Sequence, residues 1–165
     1  MRTLSPLRAF LGRWGLTNSQ LDPLIGRIVR TVRENIRRDM LDAGLNPDFE
    51  LRILNSRDDP DRWGDPNVSR VIVGGTIDQS GIPTIGIAQS IDPGNFGTEE
   101  SALVLLDILS DPPAGFGDPS LNSYIGPGSY RLGFIGRAVG NIVSHEAGHF
   151  FGNWPSDPGY GQTPS

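Results

Sequence analysis

Residues 132–151 read LGFIGRAVGNIVSHEAGHFF, and the spacing within them decides the fold. Ala138, Ile142, His145 and His149 fall on one helical stripe, while Val139, Val143 and Phe150 fall on its neighbour. The pattern predicts a helix that anchors to a core on one side and turns both histidines into a cleft. Gly136, Gly140 and Gly148 are poor helix formers. Either another backbone packs closely there, or the fit is relaxed. His145 and His149 are the only histidines among 165 residues. Standing four apart, their imidazoles leave the helix on one face and can reach a single metal ion. Glu146 points to the side of that pair, where a carboxylate can take a proton from a metal-bound water.

Upstream, the order of elements is helix, short strands, then a long loop. Ser19 followed by Asp22 resembles a capping box, with Pro23 tolerated in the first turn. Leu21, Leu24, Ile25, Ile28, Val29, Val32, Ile36 and Met40 then recur every three or four residues up to Gly44, predicting a helix over 19–43. Strands are expected at Phe49–Leu54, Arg70–Val73 and Thr84–Ala88. The run Ala102–Leu109 is apolar throughout and fits a buried strand or a helix, with strand favoured. Residues 110–130, rich in Gly, Pro and Ser, read as a surface loop. Glu99 and Glu100 would start an element after Thr98 as cap. These elements suggest an α/β or α+β sandwich in one domain: a small mixed sheet with a long N-terminal helix and a second, histidine-bearing helix.

Composition narrows the functions. The chain carries a formal charge of −5 and a pI near 4.9, which argues against nucleic-acid or anionic-membrane partners. All 14 basic residues are arginine. No cysteine is present, so disulfides and thiolate ligands are excluded. No apolar run is long enough for a signal-peptide core or a membrane span. Leu4, Leu7, Phe10, Leu11 and Trp14 recur at helical spacing, as in an amphipathic lead-in packed on the domain; an Arg-containing presequence is the alternative. Asp58, Asp59, Asp61, Asp65 and Asn67 crowd one loop as a calcium candidate or a solvated turn, without EF-hand spacing.

The stretch His145-Glu146-Ala147-Gly148-His149-Phe150-Phe151-Gly152 resembles the start of the metzincin zinc-peptidase signature, H-E-x-x-H-x-x-G-x-x-H or D. Among metzincins, Val73-Gly74-Gly75-Thr76 through Ile87-Ala88-Gln89-Ser90, with Ser144 to Trp154, is most similar to the pappalysin-like bacterial secreted proteins. The resemblance spans residues 20–154. It implies a zincin-like catalytic domain, an extracellular location and a protein or peptide substrate. By position it makes His145 and His149 ligands of Zn2+, Glu146 the general base and Gly152 the turn after the helix. Thr84–Ser90 would be the edge strand that pairs with extended substrate.

The pattern is broken downstream. The third ligand is due at position 155, and Pro155 cannot bind zinc. Both methionines, Met1 and Met40, lie upstream of the motif, so the family's methionine turn has no counterpart. These gaps lead us to expect a fragment, or a frame altered at the 3′ end, lacking the N-terminal strand and the C-terminal subdomain. Asp157 is the only carboxylate after His149, either a third ligand or a solvated tail residue. Tyr160 is a weaker candidate for oxyanion stabilisation. The alternatives to a zinc peptidase are a catalytically incomplete domain serving at most in binding, and an α+β domain with a chance motif.

Overall fold

A computed structural model describes residues 3–42, 51–92 and 96–152. The two long periodic segments are both helices: α1, Leu21–Asp42, and a later one at Arg131–His149. Between them lie β1 (Arg70–Val73), the single-turn α2 (Ile77–Ser80), β2 (Gly86–Ala88) and β3 (Ser101–Val104); the later helix is α3. The fold is α+β. Its sheet is mixed, with order β1-β3-β2, β1 parallel and β2 antiparallel to the central β3.

Pairing register assigns the faces. Val71, Val73, Ala102 and Val104 share a face, and Gly86 and Ala88 join it through their partners on β3. Ala102 and Val104 are buried beneath the helices, with Leu24, Ile135 and Val139 among the core residues above them. Trp14 completes that core, fully buried, its indole Nε1–H donating to Leu109 O at 2.8 Å.

The helices run parallel and close, because α3 is glycine-rich where they touch. A Cβ on Gly140 would stand 2.6 Å from Thr31 Cβ and 3.1 Å from Ile28 O; one on Gly136 would stand 2.5 Å from Arg27 Cγ. Close packing, not a relaxed fit, is the reason for both glycines. Gly140→Ala therefore sets a gain in helix propensity of about 1 kcal/mol against overpacking that costs about 1–3 kcal/mol. The second should win, because backbone is among the obstructing atoms. Urea unfolding should show a net loss of roughly 1 kcal/mol.

Several expectations need correction. The strand expected at Phe49–Leu54 is absent over residues 51–54; Ile53 packs on the core while Leu51 and Leu54 are exposed. Ile53 O accepts from Arg33 Nη2 at 3.1 Å, a side-chain bond in place of a strand ladder. A capping box is formed by Thr17 with Gln20, on the 3-10 turn Asn18–Gln20 that leads into α1, and Gln20 Oε1 accepts from Thr17 N at 2.9 Å. The lead-in is helical as 3-10 turns, Leu7–Phe10 and Gly12–Trp14, with Phe10, Leu11 and Trp14 buried. Just before them Pro6 is extended and bridges antiparallel to Gly74. The Ala102–Leu109 run is strand only to Val104, followed by a 3-10 turn at Ile108–Ser110. The expected loop at 110–130 holds another 3-10 turn, Leu121–Tyr124, with Ser110, Ser120 and Leu121 buried. Among the described residues, no helix is long and apolar enough to cross a membrane.

Candidate metal centre

The last turns of α3 bring the expected residues together. The rings of His145 and His149 lie edge to face, 4.8 Å between centroids and 82° between planes. One ligand atom each from His145, Glu146 and His149 falls within 4.8 Å of the others. His145 is exposed, while Glu146 and His149 are only 5% and 7% exposed. The site therefore opens on the His145 side and is closed behind the carboxylate.

Glu146 is buried against the edge strand. A Cβ at Gly86 would collide with the Glu146 carboxyl, approaching Cδ to 2.7 Å. Only glycine at that position of β2 lets the carboxylate reach its place. Burial raises the Glu146 pKa above its ordinary value, and the neighbouring His145 and His149 partly offset the rise. Gly86→Ala should displace Glu146 while leaving both imidazoles on their helix. The expected result is unchanged metal stoichiometry with an altered Glu146 titration, read by carboxyl carbon NMR against pH.

The end of the helix is anchored. His149 O accepts from Asp92 N at 3.0 Å and from Gly152 N at 3.1 Å. Gly152 has φ +81°, so the turn expected after the motif is present there in left-handed backbone. Pro155, Asp157 and Tyr160 lie outside the described residues.

The site is flanked by the two elements that frame α3. On one side runs β2, an edge of the sheet. On the other lies a polar cavity of about 330 Å³ lined by Asn35, Arg38, Asp39, Asn141, Ser144 and His145. No family model, curated protein or solved structure matches this chain. The metzincin resemblance thus rests on the motif and the order of elements, and the motif alone is not diagnostic.

The donor set suits a divalent transition metal: two imidazole nitrogens, a nearby carboxylate and no thiolate. A carboxylate buried beside two imidazoles is also a group that a cation would relieve of its desolvation cost. The calcium candidate does not assemble in the same way. Asp58 pairs with Arg57, and together with Asn55 that arginine lowers its pKa to about 2. Asp59 accepts from Asn55 N, Asp61 from Trp63 N, and Asp65 pairs with Arg62. Each acid serves the turn's own hydrogen bonds, as a solvated turn would.

Three residues of the site were missed from sequence. Gly86 carried a signal, since glycine inside a strand marks close approach of another group. Asn35 and Asp92 carried none, because their contacts with α3 span distant parts of the chain.

Proposed function

We propose that this chain carries a zinc-dependent peptidase site, with His145 and His149 as metal ligands and Glu146 as general base. The observation supporting it is the meeting of the three side chains within 4.8 Å, with Glu146 buried against an edge strand. A bound Zn2+ would supply a Lewis acid and lower the pKa of water at the site. The remaining roles belong to the chain. His145 and His149 would hold the ion from one helix face. Glu146 accepts a proton from the attacking water and returns it to the leaving amine. The outer edge of β2 offers backbone hydrogen bonds to an extended peptide, keeping the scissile bond beside Glu146.

The test is metal analysis followed by proteolysis. About one Zn2+ per chain is expected, with His149→Ala weakening affinity by more than the roughly 10–100-fold that loss of an outer-shell partner brings. Casein or peptide cleavage that survives Glu146→Gln unchanged would end the proposal.

A second reading is favoured by the ligand count. Among the described residues, only His145, Glu146 and His149 form a metal-sized group. Two imidazoles without a third protein ligand would hold zinc weakly. The chain would then be a catalytically incomplete domain, acting at most in binding. An inert chain that gains peptide cleavage on Pro155→His would select this reading.

A further inference from the structure

The polar pocket beside His145 is an open depression crossed by a hydrogen-bond network. Asn35 Nδ2 donates to Asn141 Oδ1 at 3.0 Å and to Ser144 Oγ at 3.1 Å. Its remaining side-chain atom, Oδ1, accepts from Arg38 Nη2 at 3.0 Å. The amide is thereby fixed at both ends, and its orientation fixes one arm of the guanidinium. Ser144 is itself tied to the helix through Gly140 O at 2.8 Å. A chain of hydrogen bonds thus runs from α3 through Asn35 to Arg38, ending in a cavity whose other wall is His145.

Among the described residues Arg38 forms no ion pair, although Asp39 lines the same cavity. An arginine held in place but not neutralised suits a carboxylate, because its planar fork donates two parallel hydrogen bonds at little further entropic cost. α1 carries Glu34, Asp39 and Asp42 as well as Arg30, Arg33 and Arg37, so the carboxylate preference rests on Arg38 itself rather than on the charge of the helix.

We infer that the Asn35–Arg38 cavity is a binding subsite for a carboxylate of the peptide, with Arg38 as its anchor. The inference rests on the peptidase reading for its ligand class. It places an acidic residue or a free C-terminus a short distance from the bond held at Glu146, on the α1 side of the metal centre. Asn35 is a positioning residue that acts through Arg38.

Binding separates the subsite from the chemistry. The probes are fluorescein-labelled alanine-based peptides carrying one internal Glu, one internal Gln or neither, each with a free or an amidated C-terminus. Anisotropy is measured on the Zn2+-loaded Glu146→Gln protein, so that turnover does not intervene. A carboxylate should tighten binding about tenfold over its amide counterpart, and added salt should reduce the gain. Whether the internal Glu or the free C-terminus carries the gain tells an acidic side chain from a chain end. Arg38→Gln should erase the preference and Arg38→Glu should reverse it. Asp39→Asn should enlarge it by removing the competing charge. Melting temperatures of these variants, all altered at exposed positions, control for folding. Equal affinity for acid and amide peptides, or a preference that survives Arg38→Gln, would overturn the inference. A carboxylate preference in a protein that cleaves no peptide would keep the subsite and remove the peptidase. Cleavage without the preference would do the reverse.

Discussion

Glu146→Gln is expected to lower peptide cleavage by the zinc-loaded protein about 10²–10⁴-fold, the usual contribution of a positioned general base. The same substitution should make the metal-free protein more stable at neutral pH. Glutamine keeps the shape and volume of glutamate but carries no charge, and this side chain is only 5% exposed. Burial raises the Glu146 pKa above the ordinary 4.5, so the folded state binds this proton more tightly than the unfolded state. Its contribution to stability is therefore fully present below pH 4.5 and is lost as pH rises through the folded pKa. The two proteins should melt alike in acid and diverge towards neutrality, the glutamine form being the more stable. Zinc should narrow the gap, since a cation beside the carboxylate favours its charged form. Equal melting temperatures at pH 4 and pH 7 in the absence of metal would show that Glu146 is not held in a desolvated place. Opposed effects on stability and turnover are expected of a functional residue, whereas a glutamate that merely packed would give the stability effect without the loss of turnover.

How far the fold can be read from the sequence depends on whether each pattern has a period. Leu24, Ile28 and Val32 recur at helical spacing, and α1 lies within a residue or two of the expected range. Arg70–Val73 and the segment around Gly86–Ala88 are short, β-branched or flanked by turns, and both are strands as expected. The run Ala102–Leu109 is apolar at every position and so contains no period to read. Its boundary is set by distant partners: Leu105 N donates to Ile85 O at 2.7 Å and Leu106 N to Gly75 O at 3.1 Å. Residues 51–54 have the alternation of a strand, but among the described residues no neighbour completes a ladder with them. Alternation describes which side chains face inward, and it cannot supply a pairing edge.

The candidate site divides in the same way. His145, Glu146 and His149 are neighbours along one helix, so their convergence follows from a 3.6-residue turn. The setting does not. Gly86 reaches Glu146 only because β2 is paired antiparallel to β3, and Asn35 reaches Asn141 and Ser144 only because two helices lie parallel. Local spacing points to the candidate metal-binding groups, while tertiary packing decides which wall of the cleft is polar and how deeply the carboxylate sits.

Trp14→Ala should be among the most destabilising single changes in the core. The side chain is fully buried, and truncating a buried tryptophan costs about 3–5 kcal/mol. Total stabilities of natural domains are about 5–15 kcal/mol, so this substitution would leave little in reserve. The melting temperature should fall by roughly 6–20 °C. Trp14→Phe divides the cost. Phenylalanine retains much of the buried ring surface but loses the indole N–H, leaving Leu109 O without its 2.8 Å donor. That loss alone is worth about 1–3 kcal/mol. Trp14 also joins the lead-in to α3, because Arg131 Nη1 donates to Trp14 O at 3.0 Å. The anchor therefore sits at the first residue of the helix whose last residue is His149, about 27 Å away at 1.5 Å per residue. If α3 is a rigid carrier of both histidines, Trp14→Phe should lower the unfolding midpoint in urea without changing zinc affinity below that midpoint. A proportionate loss of affinity would mean instead that the histidine pair is formed only when the far end of the core is fully packed.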